Sequence, residues 1–162
     1  MTGPPSSDTP KDVEVSEVTS VTPEIVRALS ALVPQLSSTA PAPTESDITA
    51  IAASPATVLL VARDAEDAVV GSLTLVVFRA PTGPRAWIED VVVDTSTRGL
   101  GIGAALVRDA LARAASAGAR TVDLTSRPSR EAANRLYVRL GFEQRTTNVY
   151  RHTLASPAGE DQ

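Results

Sequence analysis

Apolar residues recur along this chain at two spacings, and the spacing changes from one segment to the next. Where valines alternate with acids the pattern predicts a strand, and where apolar residues return every three or four positions it predicts a helix. Thr22 and Pro23 supply an N-cap and a first helical position, and Pro34 is predicted to help end that helix. The first part of the chain is therefore predicted to contain a strand at Asp12–Val18, helices at Pro23–Val33 and Thr44–Ala53, and a break at Ser37–Pro43.

Three segments rich in β-branched residues follow, each bounded by Asp, Gly or Pro. They predict successive antiparallel strands at Thr57–Ala62, Val69–Phe78 and Ala86–Val93, with turns at Asp64–Ala68 and Arg79–Arg85. Two helices are predicted after these strands, Gly101–Ala117 with a stop at Gly118 and Arg130–Leu140 capped by Ser129. A strand at Thr121–Thr125 lies between the helices, and strands at Phe142–Arg145 and Thr147–Leu154 close the sheet. The order β-α-α-β-β-β-α-β-α-β-β predicts an α/β fold: a mixed, mostly antiparallel sheet of about seven strands with about four helices.

The composition is that of one globular domain. Of the 162 residues, 43% are hydrophobic and 21% charged, and the polar segments 1–11 and 156–162 are predicted to be disordered tails around a domain at 12–155. With no cysteine and a single histidine, His152, the sequence offers no thiolate or histidine metal site, and no metal is expected. We expect a cytoplasmic protein, because no leader peptide is evident near Met1 and no apolar run approaches about 20 residues.

Charge is segregated along the sequence. Residues 1–97 carry 13 acids against 5 bases, whereas residues 98–151 carry 10 arginines against 4 acids. The net charge of −4 argues against a nucleic-acid partner. The second part is nevertheless suited to anions, and the acidic first part offers a complementary field for a cationic ligand.

Three glycines in the sequence Arg98-Gly99-Leu100-Gly101-Ile102-Gly103 mark the step from a predicted strand to a predicted helix. Glycine lets the backbone approach an anion closely and adopt positive φ in a tight loop. The N–H groups at the positive end of the following helix can then bind phosphate. A glycine turn without a ligand is one alternative. A dinucleotide fingerprint at Gly99, Gly101 and Ala104 with Asp123 is another, but only 59 residues follow Gly103, too few for several further βα units.

This loop and a second motif carry a family resemblance. Arg98–Gly103 fits the Gln/Arg-x-x-Gly-x-Gly/Ala loop of the GNAT superfamily of acyl-CoA-dependent N-acyltransferases, and Asn134–Phe142 fits an Asn-x-x-Tyr pattern ahead of Gly-Phe. The chain resembles the family over roughly residues 85–154. The resemblance implies a single GNAT-like domain, acetyl-CoA as cosubstrate and a strand ending at Val93 that is splayed from its neighbour. It also implies cofactor contacts from Val91, Val92, Val93, Arg98, Gly99, Leu100, Gly101, Ile102, Gly103, Ala104, Asn134 and Tyr137.

The resemblance also implies catalytic roles. Tyr137 resembles the family's general acid, since a phenol with a reference pKa of about 10 can protonate a departing CoA thiolate. The acceptor amine must lose a proton before it attacks, and Glu89, on the strand that leads to the cofactor, is the best candidate for the base. Asp90 is the second choice, on the opposite strand face by simple alternation, and either carboxylate can act through water. Without cysteine to carry the acyl group, we expect direct attack of the amine on the thioester in a ternary complex.

The acceptor is the part that the sequence defines least. The segments Leu36–Pro55 and Arg79–Arg85 would shape its site, and Trp87 either lines that site or packs in the sheet. A small-molecule amine is favoured over a protein lysine or N-terminus, because no recruiting domain is evident. A non-catalytic acyl-CoA sensor and a homodimer formed through the closing strands stay open. Arg127 and Arg130 either contact an anion or lie at the surface, and a Ser/His hydrolase is disfavoured because Gly-x-Ser-x-Gly does not occur.

Overall fold

The computed structural model describes residues 12–155, and the predicted tails, 1–11 and 156–162, lie outside the described residues. The strands are β1 (Glu14–Glu17), β2 (Thr57–Arg63), β3 (Val69–Ala80), β4 (Gly83–Val93) and β5 (Val122–Asp123). The helices are α1 (Pro23–Leu36), α2 (Glu45–Ala53), α3 (Ile102–Ser116) and α4 (Glu131–Arg139), and a 3₁₀ turn spans Thr95–Thr97. These elements form the predicted α/β arrangement.

The five strands lie in the sheet in chain order. The pairs β1–β2, β2–β3 and β3–β4 are antiparallel, which confirms the prediction for the three successive central strands. The pair β4–β5 is parallel. The β3–β4 connection is tighter than the predicted turn at Arg79–Arg85, because the two strands pair as far as Ala80 and Gly83. Gly83 takes a φ of 121°, a conformation open to glycine, and the chain reverses over the two residues between the strands.

Helices cover both faces of this sheet. On one face, Leu106 of α3 is completely buried in the same hydrophobic cluster as Tyr137 of α4. On the other face, α1 and α2 bury Leu29 and Ile48, and each such side chain contributes about 1.5–3 kcal/mol to stability. α3 comes close to the sheet at Gly71, where a Cβ would lie 3.0 Å from Ile102 Cγ2. The start of α3 therefore packs tightly against the sheet, close to the end of β4.

The helix starts follow polar caps in the first part of the chain. The Thr22 side chain caps α1, and Thr44 forms a reciprocal capping box with Asp47 at the start of α2. The cap predicted for α4 at Ser129 is wrong. The chain still turns at that residue, so the N-cap is Arg130, which makes no side-chain cap bond.

The prediction that Pro34 helps to end α1 is also wrong, because the helix continues through it to Leu36. Proline removes one N–H donor. So close to the helix end this loss affects only the last turn, where the Ser37 N–H still donates to the Val33 carbonyl at 3.0 Å.

The two closing strands predicted at Phe142–Arg145 and Thr147–Leu154 are not formed. Residues 143–155 are exposed and pair with no strand of the described chain, so the sheet has five strands there rather than about seven. The segment is rich in residues that favour strands, but a strand needs a partner edge. β5 is two residues long and offers little edge to pair with.

Candidate active site between strands β4 and β5

β4 and β5 part from one another and leave a cleft in the sheet. They pair only at Ala86 with Val122 and at Trp87 with Asp123. From Ile88 onward, the β4 edge that faces β5 has no strand partner within residues 12–155. A cleft of about 100 Å³ opens there, lined by Ile88, Glu89, Asp90, Val91, Leu124, Thr125, Ser126, Arg130 and Tyr137. The separation of strands that the family resemblance implies is thus present.

A β-bulge in β4 shapes one wall of the cleft. Ser72 of β3 pairs with Val92 and Thr74 pairs with Glu89, so β4 has one extra residue between these pairs. Asp90 lies in the bulge with a φ of 52°, a left-handed conformation that Asp tolerates better than most residues. Strict alternation predicted that Asp90 would lie on the face opposite Glu89. The bulge breaks that alternation, and both carboxylates line the same cleft.

Trp87 and Glu89 interact along this wall. Two residues apart on one face of β4, they are joined by a hydrogen bond from the indole Nε1–H to Glu89 Oε1 at 2.6 Å. Glu89 is exposed at the cleft. The bond occupies one carboxylate oxygen, so Oε2 is left to accept a proton or a hydrogen bond from a ligand. Trp87 therefore orients the carboxylate that the sequence singled out as a base.

The glycine-rich loop lies between the end of β4 and the start of α3. Gly99 and Gly101 take φ angles of 85° and 80°, and Gly101 is the N-cap of α3 without a side-chain cap bond. The first N–H groups of α3 have no partner within the helix, and they form the positive end of its dipole. The Ile102 side chain is buried in the core, so this loop offers an anion its main chain. The exposed Arg98 adds a positive charge.

Tyr137 of α4 also lines the cleft. Its side chain is 9% exposed, and its ring packs edge-on against Phe142 with centroids 5.8 Å apart. Burial raises the pKa of the Tyr137 phenol, although the positive charge of Arg130 acts in the other direction. Gly141, at a φ of 90°, ends the helix and turns Phe142 back onto the tyrosine. The Gly-Phe pair of the second motif thus supports the position of Tyr137.

The structure does not bring Asn134 into the cleft. Its Nδ2 donates to the carbonyl oxygen of Arg127 at 3.0 Å and ties the loop after β5 to α4. It is not among the residues that line the cleft with Tyr137. The three-residue spacing places Asn134 and Tyr137 on the same side of α4. The Asn134 side chain nevertheless bonds the loop carbonyl of Arg127.

A connection that the sequence did not reveal joins α1 to the entrance of the glycine loop. Gln35 Nε2 donates to Asp94 Oδ2 at 3.1 Å, and Gln35 Oε1 accepts from the Thr95 N–H at 2.9 Å. Hydrogen bonds from the Ser96 hydroxyl, the Gln35 amide and the Ser96 backbone hold the pKa of Asp94 below its usual range. These partners lie about 60 residues apart in sequence, and no local pattern predicts their contact.

Arg130, which the sequence left open between an anion contact and a surface position, is exposed and lines the cleft, and so does Ser126, which no motif marked. Arg130 donates from Nη2 to the Leu36 carbonyl at 3.4 Å, so the end of α1 reaches the wall that carries Tyr137. Ser126 lies three residues after the end of β5, and its Oγ is buried without a hydrogen-bond partner. The only available sequence signal for Ser126 is its place just after a strand.

Within residues 12–155, no group of three His, Cys, Asp or Glu side chains is arranged to hold a metal ion. Over the same residues, no helix has the length and apolar character needed to cross a membrane.

The open sheet edge, the glycine corner and the cleft together define a fold of the acyl-CoA-dependent acyltransferase type. The sequence profile of the acetyltransferase (GNAT) family matches residues 25–142, and the chain belongs to this family. Members of this family use acetyl-CoA as cosubstrate. No curated protein matched the sequence.

Solved structures agree with this assignment. A protein from Agrobacterium tumefaciens strain C58 assigned as an acetyltransferase has a TM-score of 0.76 at 26% identity, over 86% of this chain and 99% of that one. An acetyltransferase from Trypanosoma brucei has a TM-score of 0.71 at 26% identity, over 88% of this chain and 100% of that one. An aminoglycoside acetyltransferase from an uncultured soil sample shares the fold, with a TM-score of 0.74 at 18% identity over 88% and 97% of the two chains.

Proposed function

We propose that this protein transfers an acetyl group from acetyl-CoA directly to a primary amine in a ternary complex. The observation that carries the proposal is the cleft between β4 and β5, which is lined by the acidic residues Glu89 and Asp90 of β4 and by the buried Tyr137 of α4. A group that removes a proton and a group that supplies one thus flank the same opening, as direct acyl transfer to an amine requires.

The residues present fit acetyl-CoA. The main chain from Arg98 to Ala104, with two positive φ angles and free N–H groups at the start of α3, would hold the diphosphate. The unpaired edge of β4 at Val91, Val92 and Val93 would bond the amide groups of the pantetheine arm, as an added strand would. Acetyl-CoA supplies an activated thioester. Asn134 would contribute to this binding through the loop that it fastens.

Glu89 acts as the base in this proposal. An alkyl ammonium has a pKa of about 10.4 and cannot attack until it is deprotonated. Glu89 Oε2 accepts that proton directly or through water, with Asp90 as the alternative. The amine nitrogen then forms a bond to the acyl carbon while the carbon–sulfur bond breaks, and Tyr137 donates its phenolic proton to the departing sulfur. The nitrogen loses its second proton as it becomes an amide, and that proton restores the Tyr137 phenol, directly or through water. Holding the reactants together contributes most of the acceleration.

A small-molecule amine is the acceptor that we favour. The exposed Glu89 and Asp90 complement a positive charge, and the mouth of the cleft lies near the end of α1, where Arg130 contacts the Leu36 carbonyl. Structural neighbours include enzymes named for aminoglycosides and for glucosamine 6-phosphate. At 18% and 16% identity they share the fold, and they do not select an acceptor for this chain.

The test is a screen of amine acceptors with acetyl-CoA, in which released thiol is measured and each acetylated product is identified by mass. The screen contains polyamines, aminoglycosides, amino sugars, amino acids and short peptides with a free lysine or N-terminus. Acceptor-dependent thiol release with a small amine supports the proposal. Modification of peptides alone would indicate a protein lysine or N-terminus as the acceptor in place of a small molecule. Tight acetyl-CoA binding without any turnover would favour a sensor domain.

A further inference from the structure

Arg130 is a charged residue of the cleft that the proposed reaction does not use. It lines the cleft together with Tyr137 and is exposed to solvent. Within residues 12–155 it forms no ion pair, whereas Arg63 and Arg113 each bind carboxylates. Its guanidinium makes one long hydrogen bond there, from Nη2 to the Leu36 carbonyl oxygen at 3.4 Å. Most donors of this guanidinium are therefore left to a ligand.

The cleft contains charges of both signs. Glu89 and Asp90 of β4 are exposed and line it, and neither carboxylate forms an ion pair with Arg130. A molecule that carries one positive and one negative group is complementary to such an opening. The cleft has a volume of about 100 Å³, so the two groups of that molecule should be only a few bonds apart.

The anion that Arg130 meets differs from the diphosphate of the cofactor. The diphosphate is assigned above to the main chain of the glycine loop, with Arg98 beside it. Arg130 lies instead near Tyr137, where its positive charge counteracts the rise that burial gives the pKa of that phenol. A planar guanidinium pairs best with carboxylate or phosphate oxygens, which it can bind through two parallel N–H groups.

Resting on the proposed function, we infer that Arg130 determines specificity, and that the acceptor is an amine with a carboxylate or phosphate group a few bonds from its nitrogen. The nitrogen lies at Glu89 and Asp90, and the anionic group bonds the Arg130 guanidinium. Both ends of the acceptor are then held while its nitrogen faces the thioester, the orientation that direct transfer requires. Amino acids and amino phosphates belong to this class of acceptor, and polyamines do not.

Matched pairs of acceptors test this inference. Each amino acid is paired with its amide, and O-phosphoethanolamine is paired with ethanolamine, so the two kinds of anionic group are tested separately. The ratio of kcat/KM for the charged member to kcat/KM for the neutral member is measured from released thiol. Because the members of a pair also differ in amine pKa, the quantity compared is the change of this ratio between variants.

Arg130→Gln should lower the ratio at least about tenfold, in keeping with the loss of hydrogen bonds to a charged group. Arg130→Lys should lower it less, because lysine keeps the charge without the planar fork. Arg127→Gln is the matched control and should leave the ratio unchanged, since Arg127 is exposed in the same loop and does not line the cleft. A role of Arg130 in packing alone, through Leu36, would lower kcat/KM equally for both members of a pair.

Calorimetry separates this role from cofactor binding. The Kd of CoA and the Kd of 3′-phospho-ADP, the nucleotide part of the cofactor, are measured for the same variants, and Arg130→Gln should leave both unchanged. Equal weakening of the two ligands would assign Arg130 to a cofactor phosphate and overturn the inference.

Two further outcomes would overturn the inference while the proposed function stands. One is the same ratio in Arg130→Gln and the unmodified protein, and the other is acetylation confined to amines without a nearby anionic group, such as polyamines. If the folded, unmodified protein binds no CoA, or binds it and acetylates no amine, the proposed function itself fails and the acceptor class fails with it.

Discussion

The indole N–H of Trp87 donates to Oε1 of Glu89 at 2.6 Å, and Glu89 lines the same cleft as Tyr137. The bond fixes the direction of an otherwise exposed carboxylate side chain and leaves its second oxygen to the acceptor amine. A long side chain that must be ordered before each proton transfer would lose part of the benefit of proximity. Trp87 is thus a positioning residue for the proposed base. It is also the one tryptophan in the sequence, so its fluorescence reports directly on this wall.

Trp87→Phe tests this pairing, because it keeps an aromatic ring and removes the donor. We expect kcat to fall about three- to tenfold, in keeping with the loss of one exposed hydrogen bond of about 0.5–1.5 kcal/mol, with the Kd of acetyl-CoA unchanged. A double-mutant cycle with Glu89→Gln should be strongly non-additive, since orienting the side chain at position 89 matters for the reaction only while that side chain carries the carboxylate. Independent effects of the two substitutions would show that Trp87 acts through packing alone.

Tyr137→Phe tests the proposed acid. Because burial raises the pKa of Tyr137, the phenol stays protonated through neutral pH and up to at least its reference value of about 10. We expect kcat to fall about 100-fold or more, the range for loss of a general acid, while calorimetry finds the affinity for acetyl-CoA nearly unchanged. Equal losses in turnover and affinity would contradict an acid role and leave Tyr137 as part of the binding surface.

Glu89→Gln should be rescued by raising the pH. A base is needed because the free acceptor is protonated, and solution deprotonates a growing share of it as the pH approaches about 10.4. The ratio of unmodified to variant kcat/KM should therefore shrink between pH 7 and pH 10. Asp90→Asn is the matched control, since Asn also tolerates the positive φ of the bulge. A ratio for Glu89→Gln that does not change with pH would leave that carboxylate with only an electrostatic role.

The contact between Gln35 and Asp94 should make both stability and cofactor binding pH-dependent. The Asp94 pKa lies below its ordinary value of 3.8, mainly through the Ser96 hydroxyl and then through Gln35. The stabilisation is therefore present above about pH 4 and is lost as pH falls through the lowered pKa. Asp94→Asn should have a lower Tm than the unmodified protein at pH 7, and the difference should close on acidification.

Asp47 offers the control for that experiment. Its pKa is also lowered, by the Thr44 hydroxyl and backbone of the α2 capping box, but it lies away from the glycine loop. Asp47→Asn should show the same pH trend in Tm with no effect on CoA affinity, whereas Asp94→Asn should weaken CoA binding as well. Equal CoA affinity in both variants would show that the contact with α1 does not order the loop.

Local patterns predicted the elements that depend on local causes. β-branched runs and turn residues located β2, β3 and β4, and Thr22 with Pro23 predicted the start of α1. The positive φ angles of Gly99 and Gly101 confirm why that loop needs glycine. The closing strands failed because their residues favour extended backbone without fixing a partner, and the short β5 provides little edge for one.

The candidate site was predictable where a motif marked it and unpredictable where the fold brings distant residues together. Glu89 and Tyr137 do line one cleft. Asp90 was misplaced because a single bulge in β4 reverses the face on which later residues lie. Ser126 was missed because no motif includes it and only the fold brings it to the cleft, and the Gln35 contact was missed because it joins residues that lie far apart in the sequence.

The most direct test of the account is calorimetric titration of CoA into the unmodified protein, Gly101→Ala and Gly118→Ala. The two glycines stand at opposite ends of α3 with φ angles of 80° and 82°, so alanine strains the backbone equally at both. Only Gly101 belongs to the loop proposed to grip the diphosphate. We predict one CoA bound per chain by the unmodified protein and by Gly118→Ala, and binding at least about tenfold weaker by Gly101→Ala. No heat of binding with the folded, unmodified protein, or equal affinities for the two variants, would contradict the account.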